Sequence, residues 1–204
     1  MQKRWRMKPH LILLRTFAFL LGATAAQAVP LIYSATLSGA AENPDVITPG
    51  TGWTVVTYDP DAHTLRVQIE FSGLVGTTTA SHIHAPIDML TGNAGVATQT
   101  PSFVGFPLGV SEGTYDNTFD LTLASSWNAA FITNRGGGTI EGAEMALAGF
   151  LADGLAYVNV HSTFAPGGEV RGDLQSVPDP TSAGLLLAPV LLALGLARRR
   201  RHAA

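Results

Sequence analysis

The stretch Thr64-Leu65-Arg66-Val67-Gln68-Ile69-Glu70-Phe71 alternates apolar and polar residues without interruption. Its apolar side chains therefore share one face of an extended strand, and its polar side chains share the other. This pattern is typical of an antiparallel strand with one buried and one solvated face. The sequence Asp59-Pro60-Asp61 favours a turn and separates this stretch from a second run at Gly52–Tyr58, so the two runs are predicted to pair as a hairpin.

Similar short runs recur between turn signals through residues 29–177 and predict an all-β fold, an antiparallel β-sandwich. Two helical patterns lie between the late strands, the first with Ser125 or Ser126 as its N-cap. The segment 88–113 lacks steady periodicity and is predicted to be an irregular connection with room for one short strand. The further predicted strands are Leu31–Leu37, Ser81–His84, Asn117–Leu123, Leu155–His161 and Glu169–Leu174, and the predicted helices are Ser125–Asn134 and Thr139–Asp153.

Charges are sorted along the chain, and the net charge of −3 hides this. Residues 29–177 carry three basic residues (Arg66, Arg135 and Arg171) against fourteen acidic ones, a net charge of −11, while the other basic residues lie near the two ends. Such an acidic body would repel phosphate, which excludes nucleic acid as its partner. The absence of cysteine excludes disulfides, iron–sulfur clusters, thiolate zinc sites and cysteine nucleophiles.

Residues 1–28 have the pattern of a secretory signal peptide, with a helical apolar core. A basic segment at 1–10 precedes an apolar segment at 11–23, and Ala26-Gln27-Ala28 forms an A-x-A cleavage motif. An uncleaved N-terminal anchor is the alternative, which the run of small residues before Ala28 disfavours. The pattern predicts export through the Sec machinery.

The C-terminal part, 178–204, has a second apolar segment at 183–197, followed by Arg198–Arg201. Its 15 residues are fewer than the ~20 that span a bilayer, and extension through Thr181 reaches the lower limit of about 17. Apolar residues on every face disfavour an amphipathic soluble helix, so we predict a membrane helix. The arginines would stay cytoplasmic, which places the domain at 29–177 outside the membrane.

This tail, with Val177-Pro178-Asp179-Pro180 before the apolar segment and a basic cluster after it, resembles a PEP-CTERM sorting signal. Asp179 stands where that family usually has glutamate. The resemblance implies processing by an exosortase-type enzyme in a Gram-negative bacterium that makes exopolysaccharide. The protein would then lie in the cell envelope, at the outer surface or outside the cell, with transient or stable anchoring through residues 183–197.

Three histidines form the pattern that could carry chemistry. His82 and His84 are two residues apart in a predicted strand, so their side chains share a face about 6.6 Å apart. His161 shares a face with Tyr157 and Asn159 in another predicted strand, whereas Ile83, Val158 and Val160 are expected to face the core. If the two strands are neighbours, three imidazoles could bind Cu or Zn.

Three further polar residues are predicted to lie around this candidate site. Asn159 shares the face of His161, and Glu169 and Arg171 lie just downstream, where they could orient the ligands from behind. The alternative is structural: strand histidines often only bind backbone groups, and Glu169 with Arg171 could form an ion pair.

Four segments carry a second family resemblance: Leu37–Pro44, His82-Ile83-His84-Ala85-Pro86, Ala156–His161 and Pro166–Gly172. In this order they look like a CHRD domain, a module named from chordin, over roughly residues 31–175. The resemblance implies a β-sandwich. It implies no established biochemical role for bacterial members, whereas in chordin the module belongs to an extracellular protein that binds growth factors.

Three functions remain open from the sequence. The first is a non-enzymatic envelope or matrix module, with exopolysaccharide or matrix as a possible partner. The second is a Cu or Zn module using His82, His84 and His161. The third is a superoxide dismutase-like enzyme, which is disfavoured because it needs more histidines and would have to recruit His63. The acidic segments Glu42–Asp45 and Asp59–Asp61 lack EF-hand spacing and are more simply turns.

Overall fold

The computed structural model describes residues 28–89 and 92–178. The predicted signal segment up to Gln27 and the predicted membrane segment at 183–197 lie outside the described residues, as do Ala26, Asp179 and Pro180. Within the described ranges, no helix is long and apolar enough to cross a bilayer.

Eight strands and two short helices build the described part of the chain. The helices lie between the fifth and sixth strands, as predicted, and single turns of 3-10 helix occur at Gly39–Ala41 and Ala124–Ser126. The elements are β1 Leu31–Ser38, β2 Thr51–Asp59, β3 Thr64–Ser72, β4 Thr78–His84, β5 Gly113–Asp120, α1 Ala129–Asn134, α2 Ile140–Ala152, β6 Tyr157–Ser162, β7 Val170–Asp173 and β8 Gln175–Ser176.

All strand pairings are antiparallel, and the predicted β2–β3 hairpin is confirmed, with Tyr58 opposite Leu65 and Gly52 opposite Phe71. The strand order is β4-β6-β7-β1-β2-β3-β5, and β8 pairs with β1. The turn is held by Asp59, whose carboxylate accepts hydrogen bonds of 3.0 Å from the amides of Asp61 and Ala62. This order brings β4 and β6, the strands that carry the three histidines, side by side.

The mostly antiparallel β fold is confirmed, but the strands form one curled sheet instead of two separate sheets. A single apolar core joins Val67 and Phe119 from one end of the sheet to Ile83 and Val158 from the other end, and Leu147 of α2 packs into it. Sequence alternation shows which face of a strand is buried. It does not show where a sheet ends, which is why the prediction of a sandwich was only partly correct.

The connection after β4 covers the outer edge of that strand. Phe103 donates its amide to the carbonyl of Ser81, and its ring lies 5.7 Å from that of Tyr115 on β5. The described residues of the connection also form two isolated bridges, His84–Val96 and Thr98–Trp127. The segment predicted to be irregular therefore fills the gap between the two edges of the sheet.

The bounds of two predicted elements need correction. Strand β5 ends at Asp120, because Leu121 turns into the core and the chain enters a 3-10 turn. Helix α1 begins at Ala129 and is capped by Asn128, whose side chain accepts from the amide of Ala130 at 2.9 Å. Helix α2 matches its prediction closely, with Thr139 as its N-cap.

Candidate metal centre

The pairing of β4 with β6 meets the condition set by the sequence and brings the three histidines together. His82 lies opposite Asn159, and His84 lies opposite Tyr157. His161 follows Asn159 by two residues along β6. Ile83, Val158 and Val160 are fully buried in the apolar core on the other face. One nitrogen from each imidazole lies within 4.8 Å of the others.

A backbone carbonyl determines the tautomer of each imidazole. His82 Nε2 lies 2.7 Å from the Pro101 oxygen, His84 Nδ1 lies 2.9 Å from that of Ala94, and His161 Nδ1 lies 2.9 Å from that of Pro166. A carbonyl oxygen only accepts, so each of these nitrogens carries its hydrogen. The other three nitrogens, His82 Nδ1, His84 Nε2 and His161 Nε2, are left with lone pairs.

These lone pairs point to a cation site. His82 Nδ1 and His161 Nε2 lie 3.2 Å apart, and His84 Nε2 is buried without a hydrogen-bond partner. Two bonds of about 2.0–2.1 Å at a tetrahedral angle would separate the nitrogens by roughly 3.3 Å. The observed separation therefore suits two ligands of one Zn or Cu ion. Imidazoles that bind metals usually donate their other N–H to a carbonyl or carboxylate, as all three do here.

Burial keeps the histidines neutral. It lowers the pKa of His82 to about 4 and that of His84 to about 4, although the carbonyl partners act in the opposite direction. The pKa of His161 is also lowered by burial. Since metal binding requires the neutral imidazole, all three ligands are in the binding form near pH 7.

Arg171, Tyr157 and His84 form a stack of side chains. The His84 and Tyr157 rings are stacked, with centroids 4.7 Å apart and planes 4° apart. The Arg171 guanidinium carbon lies 3.5 Å from the centroid of the Tyr157 ring. Arg171 also donates to the carbonyl of Gly92 at 2.8 Å, two residues before the Ala94 carbonyl that accepts from His84. Arg171 thus contacts both the ring that stacks on His84 and the segment whose carbonyl accepts from His84.

Asn159 and Glu169 occupy different places. Asn159 is buried on the histidine face of β6, and its Nδ2 donates to the carbonyl of Gly167 at 3.3 Å. Glu169 accepts from the Thr48 hydroxyl and the Val75 amide, both at 2.6 Å, from the Gly76 amide at 3.2 Å, and from the Ser162 hydroxyl. These bonds connect four segments of the chain. None of these hydrogen bonds involves an imidazole or Arg171. Arg171 instead forms an ion pair with Asp173 at 2.8 Å.

Glu42 was missed as a site residue, because its acidic segment was interpreted as a turn. It is buried, and its Oε1 has no hydrogen-bond partner. Burial raises the pKa of Glu42 to about 7, against the opposing effects of Arg171 and Asn159. The signal that could have identified it is its position in the first of the four segments that carry the CHRD resemblance.

His63 lies outside this group and pairs with an acid on α2. Its Nδ1 lies 2.9 Å from Glu144 on α2, whose carboxylate also accepts from the Tyr58 hydroxyl at 3.0 Å. Among the described residues, the candidate metal group consists of His82, His84 and His161 alone. The superoxide dismutase-like set that would recruit His63 is therefore not assembled.

Comparison with known proteins supports the family resemblance. The CHRD domain family matches residues 33–174, which include all three histidines, Glu42, Asn159, Glu169 and Arg171. Neither the curated proteins nor the solved structures contain a match to the chain. Because the matched region covers more than half of the sequence, the chain belongs to the CHRD domain family.

Proposed function

We propose that this protein is an exported, non-enzymatic surface or matrix module whose CHRD domain binds one Cu or Zn ion through His82, His84 and His161. The metal site rests on one observation: two buried imidazoles and one half-buried imidazole converge with lone pairs, because each has given its N–H to a backbone carbonyl. Purely structural histidines need no such convergence. Imidazole suits both metals, and Cu(II) generally binds a given site more tightly than Zn(II).

Export is supported by the sequence. Residues 1–28 carry the signal pattern, and the tail from Val177 carries the sorting pattern. The ends of the domain also lie together, since the Val177 amide donates to the Ile32 carbonyl at 2.8 Å. The N-terminus that remains after signal-peptide removal would therefore lie close to the membrane in which the tail is anchored. The module would act at the envelope surface or in an exopolysaccharide matrix.

Metal content tests the first part of this proposal. The full-length chain is loaded with Cu(II) or Zn(II), freed of excess ion and compared with the His82→Ala/His84→Ala double variant. We expect about one ion per wild-type chain and a large loss in the double variant. The matched control His63→Ala should retain the ion, because His63 contacts Glu144 and not the cluster. Negligible metal in the wild-type chain would refute the site.

Mass spectrometry of the native protein tests the second part. Cleavage after Ala28 would give a mature form that starts at Val29, and exosortase-type processing would remove residues beyond the Val177–Pro180 motif. A native form that still runs from Met1 to Ala204 would contradict both assignments.

A further inference from the structure

A cavity of about 420 Å³ opens beside the histidine cluster. The segment after β1, the segment around Ala94 and the loop 165–168 surround it, and His84 and Tyr157 contribute to its wall. The same loop supplies the carbonyl of Pro166 to His161 and that of Gly167 to Asn159. The cavity therefore adjoins the two segments whose carbonyls accept from His84 and His161. Its size suits a small molecule.

Two acceptors without partners face this region. Glu42 and His84 both line the cavity, and each is more than nine-tenths buried. Neither Glu42 Oε1 nor His84 Nε2 has a hydrogen-bond partner in the described part of the chain. Asn159 Oδ1 is a third buried acceptor without a partner. Buried polar atoms are rarely left unsatisfied, so the wall of this cavity lacks donors or a cation that something else must supply.

Gly168 allows the Glu42 carboxylate to reach this position. A Cβ at Gly168 would lie 2.2 Å from Glu42 Oε1 and 2.6 Å from Asn159 Nδ2, and the backbone φ there is +137°, which favours glycine. Asn159 lies directly opposite His82 across the β4–β6 pair. The glycine thus lets Glu42 approach the strand face that carries the imidazoles.

We propose that the cavity holds a small, neutral, hydrogen-bond-donating ligand at the open coordination position of the metal ion, with Glu42 as the acceptor that positions it. The inference rests on the metal site proposed above. Three nitrogen ligands leave a fourth position open on Zn or Cu. Water fills that position by default, and a neutral nitrogen base with an N–H, such as imidazole, replaces it.

The chemistry of the wall defines this ligand class. The lone pair of the ligand binds the metal, and its N–H or O–H donates to Glu42 Oε1. A base without an N–H makes only the first bond. A small anion such as azide binds the metal but meets the carboxylate without a hydrogen to share, so the cavity disfavours it.

Ligand titrations of the Cu(II)-loaded full-length chain at about pH 8.5, above the pKa of Glu42, test this inference. Imidazole, 1-methylimidazole and azide are added in turn, and binding is followed by electron paramagnetic resonance. In the wild-type chain, imidazole should bind about tenfold or more tightly than 1-methylimidazole, because a hydrogen bond to a carboxylate is lost with the N–H. In Glu42→Leu this preference should fall to about twofold, and azide should bind more tightly than in the wild type. Glu112→Leu removes an exposed acid elsewhere and should keep the wild-type preference.

The outcomes separate the two proposals. If the wild-type chain binds no copper, both the metal site and the ligand site are refuted. If copper binds but imidazole and 1-methylimidazole bind equally in the wild type, the ligand site alone is refuted, whether or not Glu42→Leu folds. A preference that persists in a folded Glu42→Leu would refute the role of Glu42. Copper affinity is measured separately in that variant, because removal of a nearby buried carboxylate weakens the attraction for the cation without removing a metal ligand.

Discussion

His82 Nδ1 and His161 Nε2 lie 3.2 Å apart, and neither nitrogen carries a hydrogen, because the opposite nitrogens donate to the carbonyls of Pro101 and Pro166. Two lone pairs at this distance repel each other unless a proton or a metal ion lies between them. The low pKa of His82 disfavours the proton, which leaves the metal ion as the better occupant.

Metal affinity should depend little on pH in the neutral range. Burial lowers the pKa of His82 and His84 to about 4, so protons do not compete with the metal until the solution is acidic. We expect the affinity to hold through the pH range in which a free imidazole titrates, near about 6.5, and to fall steeply only as the pH approaches the pKa of about 4 of His82 and His84. Competition with a chelator of known affinity at each pH measures this. A midpoint near about 6.5, the value of a free imidazole, would contradict the prediction.

Arg171→Lys should weaken metal binding while keeping the positive charge. The ammonium cannot stack flat on Tyr157 or hold the carbonyl of Gly92 in the same way, so His84 loses part of its support. Loss of such orienting contacts typically costs about 10- to 100-fold in metal affinity. Tyr157→Phe keeps the ring stack and should cost less. Equal dissociation constants for wild type and Arg171→Lys would show that the stack only stabilises the fold.

Glu169→Gln should destabilise the domain without changing its metal affinity. Burial raises the pKa of Glu169, but hydrogen bonds from Ser162, Thr48 and the amides of Val75 and Gly76 outweigh this effect, and the pKa is lowered. In the variant, the glutamine NH2 group would replace an accepting oxygen and would lie against groups that can only donate. We therefore expect a loss of about 2–3 kcal/mol in the free energy of unfolding at pH 7. Urea denaturation measures it, with the exposed Glu112→Gln as control.

The pH dependence of the Glu169 contribution has a definite sign. Because the folded-state pKa is below the unfolded value, the stabilisation is present above about pH 4.5 and is lost as the pH falls through the folded-state pKa. The stability difference between wild type and Glu169→Gln should therefore shrink in acid. A difference that stays constant down to about pH 2 would contradict this assignment.

His63 should titrate apart from the other described histidines. Its hydrogen bond to Glu144 and the attraction of that carboxylate raise its pKa above the ordinary value, whereas burial lowers the pKa values of His82, His84 and His161. The NMR signals of its ring should shift with a midpoint above about 6.5, and in Glu144→Gln the midpoint should return towards that value. A midpoint that does not move in the variant would contradict the assigned pair.

The strand pattern determined much of this protein from its sequence alone. The alternation in β3, the hairpin at Asp59–Asp61, and the shared face of His82 and His84 all follow from the two-residue period of a strand, which local sequence specifies. The same period assigned Ile83, Val158 and Val160 to the core, where the structure places them.

Only the tertiary structure decided how these strands meet. The sequence made the site conditional on β4 and β6 being neighbours, and the sheet order met that condition through contacts between residues about 80 positions apart, such as His82 with His161. The carbonyls that determine the imidazole tautomers come from loops with no periodic pattern. Glu42 and Glu169 also show this. Both are buried acids outside the strands, yet Glu42 keeps an unpartnered oxygen at the cavity, whereas Glu169 accepts from four donors. Local sequence specifies which way a side chain points, whereas long-range packing specifies what it meets.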